Sequence, residues 1–182
     1  VALLNNKLVE GKGFLAIFII FMAAWFMGAH NPIIMCVIFC GFLTAMFKQV
    51  GVKKDDPLVI FSFLGVAYQL MRGQILFPFM GTGLTYLQAY NNMFPQLPIP
   101  MSQYLTMMVV MGLVMLVVLL LLMKFVFRVD VTPLSNYKPT QQVPPATKGQ
   151  KMSLAIFVLF IAVMIVSVFV PGIMELVERT GI

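Results

Sequence analysis

The chain has 182 residues, 61% of them hydrophobic and only 10% charged, with a net charge of +6 and a mean hydropathy of +0.99. That composition describes a polytopic, all-α membrane protein and excludes an ordinary soluble core. The basic residues gather at the ends of apolar segments and form no stripe interleaved with exposed aromatics, so they orient the chain in a bilayer rather than bind nucleic acid.

The first residues, Val1-Ala2-Leu3, carry neither a Met nor a signal-peptide pattern. We therefore expect a piece of a longer protein, with a stand-alone half as the alternative. Residues 1–13 read as the end of an interfacial arm, although Asn5–Lys12 suits a plain loop equally well. Residues 14–47 then form two apolar arms, Phe14–Met27 and Ile33–Phe47, joined by Gly28-Ala29-His30-Asn31-Pro32. Arms of about 15 helical residues reach about 23 Å, short of the roughly 20 residues that a 30 Å hydrocarbon core requires. Lys7 and Lys12 precede the first arm, and Lys48, Lys53 and Lys54 follow the second. Lys and Arg mark the cytoplasmic side, so both ends lie there. The leading expectation is a re-entrant hairpin turning back near the midplane, where exposed backbone survives only in a protein-lined or watery cavity. Two thin spans would keep the same sidedness. One kinked helix of 34 residues would run about 51 Å, too long for a single crossing without extreme tilt.

Cys36 and Cys40 share a helical face and lack metal-ligand companions, so they read as small packing residues. Gln49–Pro57 is a cytoplasmic turn in which Gly51 ends one helix and Asp55 or Asp56 caps the next, with Pro57 at its first position. Residues 57–127 hold a broken helix followed by a long span. Leu58–Met71 is apolar, Pro78 and the glycines of Gly81-Thr82-Gly83 interrupt it, and Leu84–Tyr90 resumes the pattern. Arg72, about 21 Å along this helix, is a candidate to attract an anion. Pairing with a carboxylate elsewhere, or snorkelling to the far interface, are the alternatives. Asn91–Pro100 lacks Lys and Arg and belongs outside; Met101–Phe127 is the clearest full span. Residues 128–151 are proline-rich and read as a cytoplasmic linker. Residues 152–182 bring a last span, Ser153–Val170, and an outer segment with Glu175, Glu178 and Arg179.

No HExxH, GxSxG or paired intramembrane carboxylates occur, so no enzyme is expected. A helix broken near mid-depth, facing a second interrupted element, is instead how transporters hold ions and substrates.

At the hairpin tip and the broken helix the sequence resembles the divalent anion/sodium symporters, within the wider ion transporter superfamily. Members carry Ser-Asn-Thr at the hairpin tip; here the matching stretch is Ala29-His30-Asn31-Pro32, and Asn31 alone is retained. Their Gly/Thr-rich loop resembles Pro78-Phe79-Met80-Gly81-Thr82-Gly83. Phe125–Leu134 looks like the link into the loop between repeats. The resemblance covers the layout of nearly the whole chain but few residues by identity. It implies half of an inverted-repeat transporter: most of the first repeat plus the first helix of the second. The implied activity is secondary transport of a small anion, such as a di- or tricarboxylate or an oxyanion. His30 and Pro32 replace Ser and Thr, which leaves sodium and proton coupling both open.

On this reading the substrate contacts are Asn31, His30, Pro32, Thr82, Gly83 and Arg72. A sodium ion would sit at Gly28, Asn31, Gly81 and Thr82, with no other cofactor. His30 could carry a proton, since its unperturbed pKa lies near ~6.5, or simply cap the turn. The expected partners are the anion, the bilayer, the second repeat and a second copy in a homodimer. The expected location is a bacterial inner membrane. A non-transporting membrane scaffold or assembly subunit is the alternative function.

The sidedness is directly testable by single-cysteine labelling in a Cys36→Ser/Cys40→Ser background. Cysteines at positions 53 and 95 should label from opposite faces; labelling from the same face would sink the topology.

Overall fold

A computed structural model describes residues 11–135 and 147–170, and every element among them is helical. The chain divides into two units, 1–141 and 142–182. The first contains α1 (Gly13–Gly28), α2 (Pro32–Val50), α3 (Pro57–Gly73), α4 (Gly81–Met93), α5 (Met101–Leu121) and a single helical turn, α6 (Thr132–Ser135). The described part of the second is α7 (Lys148–Phe169) with its flanking residues, exposing Met152, Ile156 and Leu159. The readings at Asn5–Glu10, Asn136–Ala146 and beyond Val170 lie outside the described residues.

Asn31 separates α1 from α2. Its backbone is extended, and its side-chain Oδ1 accepts hydrogen bonds from the amides of Ile33 at 3.1 Å and Ile34 at 3.2 Å. Pro32 follows at a position whose amide would be unpaired anyway. This cap interrupts the helix, so the single kinked helix is excluded. The arms are unequal: α1 has 16 residues and α2 has 19. The second arm is thus longer than expected, because the helix continues through Lys48 and Gln49 until Gly51 enters the left-handed region at φ 76°. Both α2 and the continuous helical stretch Met101–Val126 are long and apolar enough to cross a membrane.

The start of α3 follows the sequence closely. Asp56 accepts from the Leu58 amide at 2.8 Å, and Pro57 opens the helix. The break is Gln74–Met80, placed earlier than the loop Pro78–Gly83 that the resemblance suggested. Gly81, Thr82 and Gly83 form the first turn of α4, because Leu84 already donates to Met80 and the Thr85 hydroxyl to Gly81. At its far end α5 widens into a π-helical turn, Leu122–Val126, and Arg128 closes it at φ 49°.

The linker is also shorter than its composition implied. Val129 and Leu134 are buried, and the Gly13 amide donates to the Ser135 hydroxyl at 3.0 Å, so residues through 135 pack against the start of α1. Proline content alone does not report this burial, since Val129 precedes the first linker proline, Pro133, and Leu134 directly follows it. Lys148 and Lys151 belong to α7.

Three helices align along their length. Lys124 lies over the Phe14 ring, and Trp25 meets Gly112, so α5 runs antiparallel to α1. Phe21 meets Gly65 and Gly28 meets Leu70, so α1 and α3 run parallel. One apolar cluster joins Ala16 and Ile17 of α1, Leu43, Met46 and Phe47 of α2, Leu58 and Val59 of α3, and Met123. The starts of α1 and α3 therefore share one end of the unit with the finishes of α2 and α5. Lys12, Lys48, Lys53, Lys54 and Lys124 lie in these end segments, in keeping with one cytoplasmic side.

Close backbone approach makes two glycines very different. A methyl group at Gly73 would stand 2.2 Å from the Trp25 carbonyl oxygen, whereas one at Gly41 would meet nothing within 4 Å. Gly73→Ala should destabilise the protein by about 1–3 kcal/mol, while Gly41→Ala should stabilise it by up to about 1 kcal/mol. Thermal unfolding in detergent measures both.

Candidate functional site

The turn after α1 and the break after α3 lie side by side. A Cβ at Gly28 would stand 2.2 Å from the Leu70 carbonyl oxygen, and one at Gly73 would stand 2.8 Å from the Gly28 Cα. The Ala29 carbonyl oxygen lies 3.9 Å from the Cβ position of Gly81. Four helix ends converge through these contacts. The C-termini of α1 and α3 carry partial negative charge, and the N-termini of α2 and α4 partial positive charge. The arrangement can accommodate a cation and an anion near one another.

The N-termini are not equivalent. At α2 the Asn31 side chain already accepts the first amides, so what Asn31 offers outward is its amide nitrogen. At α4 the N-cap Met80 supplies no side-chain bond, and the Gly83 amide donates to the Gln74 carbonyl at 3.2 Å. Among the described residues the amides of Gly81 and Thr82 have no hydrogen-bond partner, which makes this turn the stronger anion donor. The Thr82 hydroxyl lies 3.5 Å from Gln74 Oε1. Gly83 packs closely, with its Cβ position 2.2 Å from the Phe77 carbonyl oxygen.

Arg72 stands at the end of α3, half-buried. Its guanidinium donates to the Gly112 carbonyl at 3.4 Å and lies 5.6 Å from the centre of the Tyr68 ring. Neither partner is an anion; the alternative of a carboxylate beyond this stretch of chain is not addressed by these contacts. Tyr104 steadies the break by donating from its hydroxyl to the Ile75 carbonyl at 2.8 Å. His30 and Asn31 are exposed and Pro32 is half-buried. Among the described residues no three His, Cys, Asp or Glu side chains come together, so a cation here would meet mainly carbonyl and hydroxyl oxygens.

One residue escaped the sequence reading. Gln69 is fully buried, and neither its Oε1 nor its Nε2 has a hydrogen-bond partner. It lies four residues from both Gly65 and Gly73, on the α3 face that meets α1. A lone amide inside the apolar run Leu58–Met71, in register with two glycines, was the available signal. A hollow of about 540 Å³, between the α4 face from Leu84 to Asn91 and Pro98–Met101, takes in none of these residues.

Comparison of the chain with protein-family models, curated proteins and solved structures finds no match.

An unpaired buried amide costs about 1–3 kcal/mol. Gln69→Leu, of similar volume, should therefore raise the unfolding temperature. A drop instead would mean that the amide is held by a ligand or partner that purification retains.

Proposed function

We propose that this chain is the first half of a secondary active transporter that moves a small anion, such as a di- or tricarboxylate or an oxyanion, together with sodium or protons. The observation that carries this reading is the juxtaposition of two helix breaks beside α5, between the level of Gly112, which meets Trp25 and Arg72, and that of Tyr104, which bonds the Ile75 carbonyl. Gly112, the residue of α5 that meets both Trp25 and Arg72, stands 11 positions after Met101 and 14 before Val126. Freed backbone groups at such a level cost several kcal/mol each in hydrocarbon. They are tolerable where they share one polar cavity with an ion or substrate.

In this mechanism the Gly81 and Thr82 amides and the Arg72 guanidinium would receive the anion. The Asn31 amide nitrogen would add a donor. Carbonyl oxygens at the end of α1, beside Gly28 and Ala29, together with the Thr82 hydroxyl, would favour the co-transported cation. His30 would serve where protons replace sodium. The second repeat completes the site on this reading. A homodimer in a bacterial inner membrane is the assembly it implies.

A non-transporting assembly subunit is the second reading. The bare apolar face of α2, with Ile33 72% and Val37 71% exposed, favours it.

Uptake by the full-length protein in proteoliposomes separates the two. Arg72→Gln and Thr82→Ala should each lower anion uptake with folding intact, and Asn31→Ala and Thr82→Ala should couple in a double-mutant cycle. Asn31→Ala also removes a helix cap, at a cost of about 0.5–2 kcal/mol. Asn31→Ser keeps the cap but not the amide donors, so it should restore stability without restoring uptake. Normal uptake by Arg72→Gln would remove its anion role, and no uptake by the wild type under any ion gradient would favour the assembly subunit.

A further inference from the structure

A second feature lies away from the breaks. Where α2 ends and α3 begins, a groove of about 870 Å³ opens, lined by Phe47, Lys48, Lys54, Val59, Phe63 and Leu64 among others. Its volume falls within the roughly 300–1,000 Å³ of small-molecule sites. Its lining divides by chemistry. Lys48, in the last turn of α2, and Lys54, in the following turn, are both exposed. The floor is apolar: Phe47 and Val59 are buried and Phe63 is half-buried.

The nearby carboxylates do not cancel this charge. Asp56 is committed to the Leu58 amide through Oδ1 at 2.8 Å. Asp55 is exposed, and neither acid lines the groove. Lys53, on the same turn, adds a third cation nearby.

The apolar side does not stop at the groove. Ile60, Leu64, Tyr68 and Met71 are all exposed and follow one another at helical spacing up α3. From Ile60 to Met71 this strip rises about 16 Å, which is one leaflet of a hydrocarbon core about 30 Å thick. Two cations at the end that the Lys distribution makes cytoplasmic, above an apolar strip one leaflet long, match an amphiphile with an anionic head.

We infer that the groove between α2 and α3 binds an acidic phospholipid of the cytoplasmic leaflet. Lys48 and Lys54 hold its phosphate, and one acyl chain lies along Ile60, Leu64 and Tyr68. Basic pockets between membrane helices on this side are where anionic headgroups are recognised. The inference rests on the chain's lying in a membrane and not on transport, so it stands or falls separately from the proposed function.

Native mass spectrometry of the detergent-purified protein tests it, using phosphatidylglycerol and phosphatidylcholine with identical acyl chains. Two lysines should give phosphatidylglycerol an advantage of roughly 20- to 30-fold. Lys48→Gln/Lys54→Gln should reduce that advantage to near unity, and Lys48→Arg/Lys54→Arg should keep it. Lys148→Gln/Lys151→Gln makes the same change in net charge on α7 and should also keep it. Glycerol phosphate, a headgroup without chains, should fail to displace the lipid at equal concentration. Equal retention of the two lipids, equal loss in both Lys-to-Gln pairs, or full displacement by glycerol phosphate would each overturn the assignment. The last outcome would instead identify a site for free phosphate.

Discussion

The structure depends on how closely the backbones of α1 and α3 approach. At Gly28 and at Gly73 there is no room for a side chain, because a carbonyl of the facing helix occupies the place a methyl would take. Small residues permit such packing where apolar surroundings give helices no hydrophobic reason to associate. Once α1 and α3 are locked in parallel, the turn that follows one must lie beside the break that ends the other. Trp25 then reaches Gly112 on α5, and Arg72 reaches the same residue from the opposite helix. One glycine on α5 thus registers three helices at a single level.

Just beyond that level, towards Tyr104, the chain gives up regular hydrogen bonding. The disruption is contained from several sides. Asn31 caps α2, Tyr104 reaches across from α5 to the Ile75 carbonyl, and the Gln74 carbonyl takes the Gly83 amide. Among the described residues, the first amides of α4 and the buried Gln69 amide stand without a protein partner. The resulting region is well braced but incompletely satisfied, as expected of a place where something else belongs.

Much of the fold was legible because its signals are local. Asp56-Pro57 is a cap-and-start pair whose chemistry acts within four residues, and Gly51 is a stop of the same range; the interruption at Gly28–Pro32 was visible too, but not that Asn31 is its cap. The interruption near Pro78 was equally visible, since proline removes a donor wherever it stands. The limits were less legible. Gly81-Thr82-Gly83 looked like loop because glycine usually weakens helices, yet a first turn has no preceding hydrogen bonds to lose. Gln69 went unread, because only three-dimensional packing reveals that it is buried. The burial of Val129 and Leu134 was hidden by the proline-rich composition of the stretch that they open. In the candidate site, the adjacency of the two breaks could be anticipated from the cost of exposed backbone. Which donors were already occupied within the protein could not.

The register of Gly112 near the middle of Met101–Val126 has an electrical meaning. Across a bilayer, moving one elementary charge through the full potential is worth about 2.3 kcal/mol per 100 mV. A charge that reaches the level of Gly112 from either face would traverse about half of that drop, or roughly 1.2 kcal/mol per 100 mV. Arrival from one side and departure to the other would then be biased by similar amounts. On the transport reading proposed above, neither step would be electrically silent, and membrane voltage would act on occupancy as well as on net movement.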